Sequence, residues 1–185
     1  MNVLRFNACL AVILQEEGGY SKRAADRGGA TDHGITHAVY SVWREEHGFI
    51  DQDIRQISSN EVAALYQEKY WIPSGAGNCP LPVDLLVFDC AVNSGPGCAV
   101  RTLQKAIGID DDGVFGPGTR AILATLDPRT VASKFLAIRR AFYLNFAAHH
   151  PDQQEFLDGW LNRVANLEKI CQNLSPTQPQ PGEQP

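Results

Sequence analysis

Apolar side chains along this chain fall into runs with helical spacing, separated by clusters of glycine, proline and short polar residues. The run Ala8 to Leu14 (ACLAVIL) predicts a buried helix over 2–16, closed by Gly18 and Gly19 because glycine takes the left-handed turn that ends helices. Gly, Asp and Ser/Thr crowd the stretch from Ser21 to Thr36, with Ile35 its one large aliphatic, which predicts a loop or short hairpin. A second helix opens at Thr36 or His37, with Val39, Val42 and Trp43 as its apolar stripe and Gly48 as its stop. Ser58 or Ser59 caps a third run through Leu65 to Tyr70. The segment YWIPSGAGNCPLP (70–82) then reads as a loop restrained by three prolines.

The stretch VDLLVFDCAVN (83–93) is apolar nearly all round, the mark of a helix buried on every side rather than one lying on a surface. It breaks at Asn93-Ser94-Gly95-Pro96-Gly97. Two short helices follow around a DDGVFGPGT turn, with Val100, Leu103, Ile107 and Ile109 as one stripe and Thr119 to Leu126 as the next. A long helix is expected over 130–149, bearing Phe135, Leu136, Ile138, Phe142, Tyr143 and Phe146, and a last one over 153–172. The tail from Ser175 to Pro185 is Pro/Gln-rich without a large apolar side chain, and is expected to be disordered. The fold class is therefore mainly α with a small β element. The chain divides into 1–92, 93–173 and a tail, 174–185, with extensive packing expected between the first two.

Composition narrows the classes of function. The 185 residues are 44% apolar, enough for a core, and the net charge of −5 argues against a nucleic-acid binder that relies on a general phosphate footprint. Five cysteines (Cys9, Cys79, Cys90, Cys98, Cys171) lack metal-ligand spacing and are expected as free, mostly buried thiols. His33 and His37 have no further ligand at suitable spacing, and Asp110 to Asp112 lacks the pattern of a calcium loop, so no metal or cofactor is expected. Arg5 and the short apolar run after it superficially resemble a signal peptide, but cleavage there would remove the helix leading to Glu17, so no signal peptide and no membrane association are expected.

Candidate chemistry concentrates between Gln15 and His37. Glu17 sits at a predicted helix C-terminus, where the helix dipole and apolar neighbours both disfavour ionisation and so keep a carboxyl group available as a proton donor. Asp26 follows in a loop open to water. Two carboxyls in unlike surroundings are the recurring arrangement of glycosidases. Glu16 is the rival acid, Asp26 could instead cap a turn, and Thr31 and Thr36 compete as the assisting hydroxyl.

Four motifs in order carry a family resemblance: EGGY (Glu17 to Tyr20), DRGGATDHGIT (Asp26 to Thr36), YWIP (Tyr70 to Pro73) and FDCAVNSGP (Phe88 to Pro96). With them the chain resembles glycoside hydrolase family 108, which holds phage endolysins and bacterial muramidases. The second half resembles the peptidoglycan-binding module usually fused to it, through Asp112, Gly113, Gly116, Pro117 and Thr119. The resemblance implies a lysozyme-like helical fold with that helical module packed on it. It also implies hydrolysis of the β-1,4 bond between N-acetylmuramic acid and N-acetylglucosamine, with Glu17 as catalytic acid.

The acid spacing is also similar to phage T4-type lysozyme, where an Asp follows the Glu by nine positions and a Thr stands some six further on. Here Asp26 fits and Thr31 is one position short. That likeness implies inversion, with Asp26 and Thr31 holding the water. Tyr20 and Trp71 are candidate sugar-stacking rings, and Asn93 and Ser94 candidate partners for an N-acetyl group, while core packing and helix capping account for the same residues equally simply. Peptidoglycan is the expected partner of a monomer that remains in the host cytoplasm until a holin opens the membrane. A lytic transglycosylase and a non-catalytic wall-binding protein are the rival readings.

Overall fold

The computed structural model describes residues 3–17 and 31–174. The elements are α1 (Val3–Glu17), a hairpin of β1 (Thr31–Asp32) and β2 (Ile35–Thr36), then α2 (His37–Glu46), α3 (Ser59–Tyr66), α4 (Val83–Ser94), α5 (Pro96–Ile107), α6 (Pro117–Leu123), α7 (Pro128–His149) and α8 (Leu157–Asn173). The fold is mainly α and lysozyme-like, as expected, with a single small hairpin among the described residues.

The all-round apolar stretch becomes the axis of the molecule: in α4 every residue from Val83 to Ala91 is buried. α1, α5 and α7 all pack against it, while α8 lies against α7 and α6 against α5. One hydrophobic core runs from Phe6 to Cys171 without a break between the halves of the chain. Burying each Leu, Ile or Phe in it contributes roughly 1.5–3 kcal/mol. At the centre Trp71 meets Phe88 edge-on at 5.0 Å between ring centroids and Phe6 at 5.5 Å.

Local sequence explains most element ends. Ser58 caps α3 through a capping box with Glu61, each side chain taking the other residue's backbone N–H. α3 stops at Tyr66 and not near Tyr70, because the chain widens into a π turn over Gln67–Trp71. Gly95 separates α4 from α5 with φ +85 and ψ 152, a conformation open essentially to glycine alone. Pro96 then opens α5, where a missing N–H costs nothing.

Two apolar stripes differ from expectation. In α2 the buried pair is Tyr40 and Trp43, while Val42 is 51% exposed. The tyrosine goes inside because its hydroxyl is satisfied there, accepting from Gln52 Nε2 at 2.5 Å and Arg44 Nη1 at 3.0 Å. In α7, Phe135, Leu136 and Tyr143 face the core as expected, but Phe142 is left 47% exposed. The tail from residue 175 lies outside the described residues.

Candidate active site

α1 is anchored along its whole length. Phe6, Cys9, Leu10 and Ile13 are buried at helical spacing, and Arg5 donates from Nε and Nη2 to Asp84 Oδ2 at 2.9 and 2.7 Å, clamping α1 to α4. Burial raises the Asp84 carboxyl above its ordinary value, and Arg5 works against that rise. The backbone of Glu17 is thus the last turn of a helix fixed in the core, at the negative end of its dipole. The side chains of Glu16, Glu17 and Thr31, and the whole of Tyr20 and Asp26, lie outside the described residues.

The hairpin brings the two competing threonines together. Thr31 pairs with Thr36 and Asp32 with Ile35, across a turn in which His33 (φ 49) and Gly34 (φ 73) both have positive φ, the geometry of a two-residue type I′ connection. Ile35 is driven into the core, and Tyr66 of α3 donates its hydroxyl to the His33 carbonyl at 2.7 Å, so both faces of the turn are tied down. Thr36 serves as N-cap of α2, its Oγ1 accepting from Val39 N at 3.3 Å. α3 also packs on α1 and so is the shared support of the Glu17 helix and the hairpin.

Trp71 offers no face to a sugar, being only 2% exposed with Phe6 and Phe88 against its ring; it belongs to the core. Asn93 and Ser94 are exposed at the end of α4, and Asn93 Nδ2 donates to Asp89 O at 2.8 Å. They line a cavity of about 320 Å³ whose other walls are Phe142, Tyr143, Phe146, Gln153 and Trp160, all from the second half of the chain.

Residues 10–95 match the family Glycosyl hydrolase 108, and residues 98–165 match the Predicted Peptidoglycan domain. The first half of the chain is thus similar to glycosyl hydrolase family 108. Among solved structures it is similar to Brucella abortus SagA, at 29% identity and a TM-score of 0.76, covering 92% of this chain and 95% of that one. No curated protein sequence matches it. The family 108 region together with the peptidoglycan domain makes this a glycoside hydrolase that degrades peptidoglycan.

The two matched regions meet at the Gly95 bend. The D-G-x-x-G-P-x-T element of the peptidoglycan domain is built around Gln104, which is buried on α5. Its amide nitrogen lies within hydrogen-bonding range of Asp112 Oδ1 at 2.7 Å, Val114 O at 3.1 Å and Thr119 Oγ1 at 3.2 Å, and its oxygen accepts from Gly113 N at 2.9 Å. The Asp112 carboxylate, lowered first by the Val114 N–H and then by Gln104, is a turn-former here. Among the described residues no cluster of three metal-ligating side chains occurs.

Asp84 and Asp89 are two buried acids that the sequence reading did not single out. Both are buried in α4, and Asp89 accepts from Arg139 Nη1 at 2.5 Å and Arg163 Nε at 2.8 Å. The signal was present as two acids inside an otherwise apolar run, since a buried carboxylate demands a cationic partner. All five thiols are unpaired, with Cys9, Cys90 and Cys171 buried. Burial pushes the Cys9 and Cys171 thiols up to about 12, so they are inert fillers.

Proposed function

We propose that this protein is an N-acetylmuramidase of family 108. Glu17 protonates the glycosidic oxygen between N-acetylmuramic acid and N-acetylglucosamine, and the C1–O bond breaks with oxocarbenium character at the muramic acid carbon. Asp26 accepts a proton from a water that Thr31 helps to position, and that water attacks C1 from the opposite face, so the anomeric configuration inverts. Tyr20 and Thr36 contact the sugars beside them. The observation that carries the reading is the position of Glu17, at the C-terminal end of a helix clamped to the core by the Arg5–Asp84 pair. Such an end disfavours the carboxylate, as a proton donor near neutral pH requires.

The setting that fits is a phage or prophage endolysin acting as a monomer, held in the host cytoplasm until a holin admits it to the wall. No helix among the described residues is long and apolar enough to cross a membrane, which agrees with release by another protein. Digestion of purified sacculi tests the chemistry. Mass spectrometry should find reducing-end muramic acid, and proton NMR of the fresh product the α-anomer. Glu17→Gln should lower the rate by about 10²-fold or more. Products ending in 1,6-anhydro-muramic acid would make the enzyme a lytic transglycosylase, and full lysis by Glu17→Gln would remove Glu17 from the mechanism.

A further inference from the structure

A cavity of about 390 Å³ opens between α5 and α7 beside the end of α4, within the size range of small-ligand sites (about 300–1,000 Å³). Its lining brings together the cationic side chains of Arg101, Lys105 and Arg139 with the apolar Ile138, Ala141 and Phe142, and includes no carboxylate. That is unusual in a chain with a net charge of −5.

Arg101 and Lys105 are exposed, whereas Arg139 is buried in the wall. The guanidinium of Arg101 lies against two glycines: a Cβ built on Gly113 would stand 2.9 Å from its central carbon, and one on Gly97 3.3 Å from Nη1. The absence of side chains at both positions makes the room it occupies. Asp112, whose charge feels Arg101, is already committed to Gln104 and the Val114 N–H. Lys105 pairs with Asp111 at 3.2 Å, but with the two side chains 55% and 41% exposed the pair is exchangeable.

Arg139 supplies the second, independent sign of a ligand. It is buried, its Nη1 is held by Asp89 and its Nη2 donates to Tyr143, yet its Nε–H is enclosed without an acceptor. A buried N–H left unpaired is costly, and it stands on a residue that lines the cavity. The Cys98 thiol on the cavity wall registers the same positive field. A hydrogen bond from Cys90, then one from Thr102, and only after these Arg139 and Arg101, draw it down to about 6 against the effect of burial.

We infer that this cavity receives a carboxylate of the peptide stem of peptidoglycan, so that the region 98–165 grips the wall through its peptide and not through its sugars. The inference rests on the reading of peptidoglycan as substrate. The three cations match the stem's carboxylates, and the apolar patch of Ile138, Ala141 and Phe142 matches the methyl groups of its alanines.

The test is retention of the full chain carrying Glu17→Gln on sacculi tethered to beads through their glycan strands, either intact or treated with an amidase that removes the stems and leaves the tethered glycan with its lactyl carboxylates. Binding to stripped sacculi should be weaker by about tenfold or more. Arg101→Glu with Lys105→Glu should reduce binding to intact sacculi towards that lower level, with an unchanged melting temperature because both side chains are exposed. Equal binding to the two kinds of sacculi, or undiminished binding by the double variant, overturns the inference. A free stem tetrapeptide should also slow alkylation of Cys98, and no slowing counts against it. Digestion of intact sacculi by the protein with Glu17 in place reads the enzymatic assignment separately, so either reading can fail alone.

Discussion

Asp89 and Arg139 form a buried ion pair across the boundary between the family 108 region and the peptidoglycan domain, with Oδ2 and Nη1 2.5 Å apart and both side chains at most 3% exposed. Arg163 joins from α8, so three helices share one carboxylate. Removing one member of such a group strands the others in the core. Asp89→Ala should cost about 3–5 kcal/mol, read as a lower midpoint in urea unfolding. For the same reason residues 1–95 expressed alone should fail to fold, which far-UV circular dichroism would reveal.

Gly75 receives the Phe115 ring from the peptidoglycan domain so closely that a Cβ there would lie 2.3 Å from the ring, and its φ is +69. Gly75→Ala combines a left-handed backbone with an overlap between halves, and should cost at least about 2 kcal/mol. In a double-mutant cycle with Phe115→Ala, the cost of Gly75→Ala should shrink once the ring is gone.

The hairpin separates the two threonines experimentally. Thr36→Asn keeps an N-cap for α2 and should leave the melting temperature nearly unchanged, whereas Thr36→Ala should lose about 0.5–2 kcal/mol. With Thr31 as the water-positioning hydroxyl, Thr31→Val should lower kcat by about 10²-fold while Thr36→Asn lowers it far less. The reverse order would give the role to Thr36.

Cys98 should behave as a thiolate at neutral pH. Its alkylation rate should rise through a midpoint near pH 6, not near the ordinary 9, because the hydrogen bond from Cys90 stabilises the deprotonated form. Cys90→Ala removes that largest cause and should move the midpoint upward. A midpoint that stays near 6 would leave the Thr102 hydroxyl and the arginines as its origin.

The sequence made the fold legible wherever a pattern is local. The all-round apolarity of 83–93 announced a central helix, the pair Ser58 and Ser59 the capped start of α3, and the glycine-rich stretch before Thr36 a loop or short hairpin. What it hid depends on distant partners. Asp84 and Asp89 look like interruptions in an apolar run until Arg5 and Arg139 are seen beside them, 79 and 50 positions away. Trp71 could have stacked on a sugar or filled the core, since periodicity does not say which face of a ring is covered; packing against Phe6 and Phe88 decides it. Thr31 and Thr36 looked like alternatives along the chain, and the two-residue turn makes them neighbours.

The Gln104 amide has a bearing on how such modules should be recognised in other chains. Because it presents donors and an acceptor to four groups of one turn, neither Glu nor Leu can replace it without leaving a buried partner unanswered. The D-G-x-x-G-P-x-T signature is thus half of a two-part code, its other half a glutamine eight positions upstream of the aspartate. A sequence carrying the signature without that glutamine should be searched for a compensating amide or water before it is assumed to share this turn.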